Sequence, residues 1–376
     1  MNQQEFETFL ISIRRHLHQY PELSKQEFET TRSIEGWLKE LNIPIRNTEL
    51  ETGVFADIKG GKPGPIVAIR ADIDALPIEE KTGLPYASKI KGIMHACGHD
   101  FHTAALIGAA HLLKENQSQL NGTVRLIFQP AEELGGGAKY VIEDGQLDGV
   151  EAIIGLHNKP DLPVGTIGIK EGPLMAAVDR FHIVLNGKGS HAALPQNSHD
   201  PIVAAGQLIT ALQTVVSRNV SPLQSAVLSV TKITGGSTWN VIPGEVSLEG
   251  TVRTFDPIVR EEVKARFYSI VNSIAAAFTQ KVEIHWFSGP PPLVNHQSVT
   301  EIVEGAAIEQ SLNVIHPEPS TAGEDFSYYL LHIPGTFAFF GTNGKEDWHH
   351  PAFTVDESAL LKAAYFLYAS ARKLLD

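Results

Sequence analysis

Three short runs set the terms for any fold this chain can adopt: PIVAIRAD (65–72), GTVRLIFQP (122–130) and VEAIIGLHN (150–158). All three are strongly apolar, and the first is almost continuously so, as a strand buried on both faces should be. Between and around them the period changes to that of helices. FLISIRRHLHQYPELS begins helical and stops at Pro21, TTRSIEGWLKELNI (31–44) carries apolar residues at helical spacing, and a helix is predicted from about Asp100 to Asn116. GVFADIKG (53–60) reads as a further strand and AKYVIEDG as a short helix. Strands alternating with helices predict a largely parallel sheet covered on both sides.

A different pattern begins near Met175. Strand DRFHIVLNGKG leads to the long amphipathic helix DPIVAAGQLITALQTVVSR. The strands AVLSVTKITGG and GEVSLEGTVRTF alternate their faces, and helix PIVREEVKARFYSIVNSIAAAF and strand KVEIHWFSG complete the block. The order β-α-β-β-α-β is that of a ferredoxin-like sandwich. It closes near Pro290, Pro291 and Pro292, after which the first pattern resumes with VTEIVEGAAIEQSL, TFAFFGTN and a terminal helix from about Glu357. The expectation is therefore an α/β protein of two domains. Residues 1–175 and 290–376 form a mostly parallel-sheet domain, and 176–289 form an inserted one.

Composition excludes some roles. Of 376 residues, 43 % are hydrophobic and 19 % charged, which suits a sizeable core and not a disordered chain. The net charge of −13 would repel phosphate and argues against a nucleic-acid partner. No run of about 18 apolar residues exists to span a membrane. A single cysteine forbids an internal disulfide framework, and the N-terminus MNQQEFETFLISIRRHLHQYPELS has no apolar signal core. Together these predict a cytoplasmic protein.

That single cysteine lies in MHACGHDFHTAA (94–105), beside His95, His99, Asp100 and His102. Other chemistry-bearing residues fall at strand ends: Asp72 and Asp74 after PIVAIRA, Glu132 and Glu133 after RLIFQPA, His157 ending AIIGLH, and His349 and His350 after TFAFFGTNGKEDW. In open α/β sheets, ligands gather outside the carboxyl ends of the strands. Singly, each has an ordinary reading: a buried small cysteine, a hydrogen-bonded histidine, a solvated glutamate pair. Jointly, thiolate, imidazole and carboxylate at one rim suit a transition ion such as zinc, manganese, cobalt or nickel.

PELS, RADIDALPI, MHACGHDFHTA, QPAEE, GLHN, GKGSHAA, TWNVIP, GTVRTF, GEDFSYY and HHPAF occur in this order over nearly the whole chain. The pattern resembles the metal-dependent aminoacylase and carboxypeptidase family. It is most similar to the branch of indole-acetyl-amino-acid hydrolases, hippurate hydrolases and bacterial N-acetyl-amino-acid deacetylases. The resemblance implies a catalytic domain with an inserted lid and dimerisation domain, and hence a homodimer. It implies that Cys97, His99, Glu133, His157 and His349 hold two divalent ions, manganese foremost, with Cys97 bridging and His349 preferred to His350. Glu132 becomes the general base that activates a water on the ions, and Asp72 the orienting aspartate. Arg70 stands where the wider family has a histidine. In the insert, His191 is implied to steady the oxyanion in the partner subunit's site, and Asn240 and Arg253 to hold the substrate carboxylate.

The implied activity is hydrolysis of N-acyl, chiefly N-acetyl, amino acids to a carboxylic acid and a free amino acid. Three alternatives stand beside it. One is a dipeptidase or aminopeptidase, and another a thiol hydrolase with Cys97 as nucleophile and His99 as base. The third is a metal-dependent small-molecule binding protein without turnover. His16, His18 and His102 are expected to be structural, with His102 also able to reach the residues behind the metal ligands, His111 to face solvent, and Gly135–Gly137 to form a tight turn.

Overall fold

The computed structural model describes all 376 residues. They divide into two compact units, Met1–Leu174 with Val294–Glu318 and Asp325–Asp376, and Met175–Leu293 with Pro319–Glu324. No helix is long and apolar enough to cross a membrane.

The first unit is built on a seven-stranded sheet in the order Val54–Lys59, Asn121–Gln129, Lys62–Asp72, Val150–Lys159, Gly335–Gly341, Thr166–Gly168, Asn313–Ile315. The second to fifth of these run parallel, and their adjoining ends are buried almost without interruption. That burial is why their sequences lack alternation. The sheet is not parallel throughout. Val54–Lys59 pairs antiparallel with Asn121–Gln129, and Thr166–Gly168 pairs antiparallel with Gly335–Gly341. Register places Asp72 beside Gln129 and Phe339 beside His157, so the polar residues that end these strands share one rim.

Helix His99–Glu115 is buried along nearly its whole length, which is why it is largely apolar and alanine-rich beyond its polar first turn. Helix Gln3–Gln19 instead buries one stripe, Phe6, Leu10, Ile13 and Leu17. These two meet the terminal helix Ala359–Leu375 at Gly108. A Cβ at Gly108 would lie 2.7 Å from the Ala364 Cβ and 2.9 Å from a Leu10 methyl, so no side chain fits where the helices cross. His111 does not face solvent as its sequence position suggests. Its ring centroid lies 5.1 Å from that of Phe6, because the outer helix covers it.

The second unit follows the β-α-β-β-α-β order, with strands Ala177–Asn186, Ala226–Gly235, Glu245–Thr254 and Lys281–Ser288 and helices Pro201–Asn219 and Pro257–Ala277. Its sheet is antiparallel, in the order Lys281–Ser288, Ala177–Asn186, Glu245–Thr254, Ala226–Gly235. Strict alternation of buried residues along Glu245–Thr254 marks a single packed face, where Val246, Leu248 and Val252 join a core with Phe181, Leu208, Leu212 and Phe267. Both helices start the same way. Asp200 and Asp256 cap the second and third backbone N–H groups, and a proline occupies the first helical position, where its missing N–H costs nothing.

Candidate metal centre

Cys97, His99 and His157 come together at the rim of the first unit's sheet. The Cys97 Sγ lies 3.4 Å from the His157 Nε2. Each histidine is turned by a hydrogen bond on its other nitrogen. His99 Nδ1–H donates to the Asp74 carbonyl at 2.8 Å, and His157 Nδ1–H to the Asn158 carbonyl at 2.8 Å. Such a bond selects the tautomer and leaves Nε2 as a lone pair free to coordinate. Gly98 allows the approach between Cys97 and His99. Its φ is +87°, and a Cβ there would come 2.3 Å from the Asn158 amide.

Glu133 brings the second half of the cluster. Its Oε2 lies 3.6 Å from the His349 Nε2 and its Oε1 3.8 Å from the His99 Nε2. His349 adopts a left-handed φ of +63°, held by its N–H donating to the Ala96 carbonyl at 2.8 Å. His350 points elsewhere, 3.8 Å from Glu346. Ligand atoms of Cys97, His99 and His157 lie within 4.8 Å of one another, and so do those of Cys97, Glu133 and His349. Cys97 is common to both groups, the position a bridging ligand needs. Buried His99 Nε2 and Glu133 Oε1 have no hydrogen-bond partner, which in a native interior calls for an ion or water. Sulfur, imidazole and carboxylate donors in two sets that share an atom fit a pair of transition ions.

The electrostatics of the cluster's own side chains point the same way. Burial disfavours a charged His99, yet Asp72, Asp74 and Glu133 outweigh it and lift the ring to about 10. Burial raises Glu133 to about 7. His157 is held well below the ordinary imidazole value by burial and by His102 nearby. A proton on His99 thus occupies the place a cation would take.

Glu132 precedes Glu133 in a one-turn 3₁₀ helix, Glu132–Leu134, and its carboxylate joins His99 and Glu133 in a third group of ligand atoms within 4.8 Å. Asp72 is fully buried. It accepts from His102 Nδ1 at 2.6 Å and from Arg70 at 2.7 Å, and lies 3.6 Å from the His99 Nε2. His102 is oriented in turn by the Asn158 N–H, which donates to its Nε2 at 2.9 Å. Arg70 spans Asp72 and Asp325, donating to the latter at 2.8 Å. His102 thus stands behind the candidate ligands, the contact that its place one turn into the helix left open, whereas nothing in the sequence pointed to a role for Asp325 or Asn158. Gly135–Gly137 do form a tight turn, with the Gly135 and Gly137 amides bonded to Glu132 and Ala131.

In the second unit, His191 lies in a two-residue strand paired with Val241–Ile242, and the Ala192 N–H donates to the Asn240 carbonyl at 3.0 Å. His191 and Asn240 therefore share one small ribbon. Arg253 lies on strand Glu245–Thr254, half-buried, with Nη1 lacking a hydrogen-bond partner. Burial lowers its pKa, which favours gaining an anion.

Residues 68–373 match the sequence profile of the peptidase family M20/M25/M40. The chain belongs to this family. Along its full length it is 68 % identical to an N-acetyl-L-cysteine deacetylase of Bacillus subtilis, of which it covers 90 %. It is 55 % identical over 367 residues to an N-acetylcysteine deacetylase of the same organism, covering 97 % of each chain. Its fold superimposes with a TM-score of 0.90 and 50 % identity on the Bacillus subtilis YXEP protein, described as a dinuclear metal binding peptidase from the M20 family, over 99 % of both chains. This M20 protein is a metal-dependent amidohydrolase with a dinuclear metal-binding fold.

Proposed function

We propose that this M20 enzyme hydrolyses N-acetyl amino acids, releasing acetate and the free amino acid, with Glu132 as general base. The observation that carries the reading is the position of Glu132, beside His99 and Glu133 in a cluster whose two ligand groups share Cys97. The deacetylase names of the relatives at 68 % and 55 % identity support the substrate class.

Cys97, His99, Glu133, His157 and His349 would hold two divalent ions, for which we propose manganese; the same donors would also accept zinc, cobalt or nickel. When bound, the ions supply Lewis acidity to a water and to the amide carbonyl. Glu132 takes the proton from that water and returns it to the leaving amine. Asp72, gripped by Arg70 and His102, orients the cluster through His99. Arg253 and Asn240 bind the carboxylate of the amino-acid half, a task for which the unpartnered Arg253 Nη1 is suited. His191 steadies the oxyanion. We further propose a cytoplasmic homodimer formed through the second unit, whose strand Ala226–Gly235 lies at a sheet edge with Val227 and Ile233 exposed.

Side-by-side turnover of N-acetyl-L-cysteine, other N-acetyl amino acids and dipeptides by the manganese-loaded enzyme tests the reading. N-acetyl amino acids should be cleaved at least ~10-fold faster by kcat/KM, a margin of about 1.4 kcal/mol in transition-state binding. Dipeptides turned over as fast or faster would make the protein a dipeptidase.

A further inference from the structure

The two glutamates of QPAEE do different work in the proposed reaction, so the loop that carries them must be held to a fraction of an ångström. Little in the loop itself can do this. Glu132–Leu134 is a single 3₁₀ turn, and the first amides of any helix lack partners within it. The chain is left-handed on both sides, with φ of +58° at Ala131 and +70° at Gly135. The direction in which Glu132 and Glu133 project is therefore set by whatever ties down their own backbone N–H groups.

Both are tied to one side chain. The Glu132 N–H donates to Asp74 Oδ1 at 3.1 Å, and the Glu133 N–H to Asp74 Oδ2 at 3.0 Å. The Ser24 hydroxyl donates to the same Oδ2 at 2.6 Å and keeps the carboxylate from rotating. Asp74 also grips His99. Its carbonyl accepts the His99 Nδ1–H at 2.8 Å, and its Oδ1 lies 3.3 Å from that nitrogen. Asp74 is itself 1 % exposed and lies two residues beyond the end of strand Lys62–Asp72. One buried residue just past the strand thus bonds to the amides of the proposed general base and a candidate ligand, and to the ring of another candidate ligand.

We propose that Asp74 is the positioning residue that fixes the Glu132–Glu133 turn against His99. This deepens the reading of Glu132 as base and rests on it. Asp74 touches no reacting atom. It acts by presenting two acceptor oxygens to two adjacent N–H groups while its own carbonyl selects the His99 tautomer. A carboxylate is required for the first task. An asparagine has one acceptor oxygen, and its NH₂ would face an N–H.

The test is Asp74→Asn, with Ser24→Ala as a milder companion. In the metal-free protein, backbone hydrogen exchange in the segment 131–137 should speed up at least ~10-fold in Asp74→Asn, with the neighbouring sheet segment 67–72 unchanged, as expected for local and not global opening. In the manganese-loaded enzyme kcat should fall about 10–100-fold, the usual cost of losing an outer-shell partner, with KM within about threefold. Ser24→Ala should show the same pattern at about threefold in kcat, since only the brace on Oδ2 is lost. Unchanged exchange in 131–137, or equal loss of protection across the whole sheet, would overturn the proposal. If Asp74→Asn does not fold, Ser24→Ala decides on the same two readouts. The exchange measurement needs neither metal nor substrate, and kcat is read on whichever amide the wild type cleaves. Failure of the N-acetyl substrate class would therefore leave this result standing, and the reverse holds too.

Discussion

Glu132 and Glu133 are adjacent and chemically identical, yet their surroundings separate them. Glu133 lies between the rings of His99 and His349, where burial raises its carboxyl to about 7. Glu132 accepts from the Asp325 N–H at 3.4 Å. On this account Glu132→Gln removes the base and spares the ligands. Turnover should drop ~10²–10⁴-fold while metal content, read by elemental analysis, stays at the wild-type level. A variant that keeps more than about a tenth of the rate would remove Glu132 from the role. At this scale the candidate donors Cys97, His99, Glu133, His157 and His349 were visible in the sequence, because all stand at strand ends or in family-like motifs, and the fold brings their ligand atoms together. It did not show what orients them. Asp74 bonds to amides 58 and 59 positions away, and Asn158 to His102 at 56 positions. Periodicity carries no information about such pairs.

Helices and a loop of the first unit are joined by a buried ionic cluster. Asp100, in the first turn of helix His99–Glu115, accepts from Arg14 at 3.0 Å and from His18 at 2.8 Å, both on helix Gln3–Gln19. His18 also lies 3.2 Å from Glu80, so it bridges the outer helix, the metal-loop helix and the segment between them. Burial opposes its charge, but Asp100 and Glu80 prevail and raise its pKa. A histidine raised on folding stabilises most below its unfolded value of about 6.5, and that contribution fades as pH rises through the folded value. The loss of thermal stability in metal-free His18→Gln should therefore be largest near pH 5.5 and shrink toward pH 9. Thermal unfolding of both proteins across that range checks it, and a penalty that grows with pH would contradict the cluster as drawn. The elements themselves were largely legible, since burial on two faces or one leaves a distinct pattern in Lys62–Asp72 and Glu245–Thr254. Strands Thr166–Gly168 and Asn313–Ile315 were not, being three residues each and too short to show a period. His111 misled for a related reason: its helix is covered by another helix, which the local pattern cannot reveal.

At the scale of the whole molecule, the first unit carries the candidate ligands and the second carries His191, Asn240 and Arg253. The proposed homodimer supplies His191 from the partner subunit. Mixing inactive His191→Ala with inactive Glu132→Gln should then restore activity, up to about half the wild-type rate per mixed dimer, because closed two-fold symmetry leaves one intact site. If subunit exchange is demonstrated by mass or fluorescence and no activity returns, His191 acts within its own chain or has no part in the reaction. The central claim, that two ions held around Cys97 are what make this chain a hydrolase, has a direct measurement. Strip the protein of metal, confirm the loss by elemental analysis, and titrate manganese back while following amino-acid release from an N-acetyl amino acid. The account predicts no turnover without metal and activity that rises until two ions are bound per chain, with protons released as His99 gives up its own. Turnover that survives complete metal removal would contradict it, and would point to the Cys97 thiol as a nucleophile.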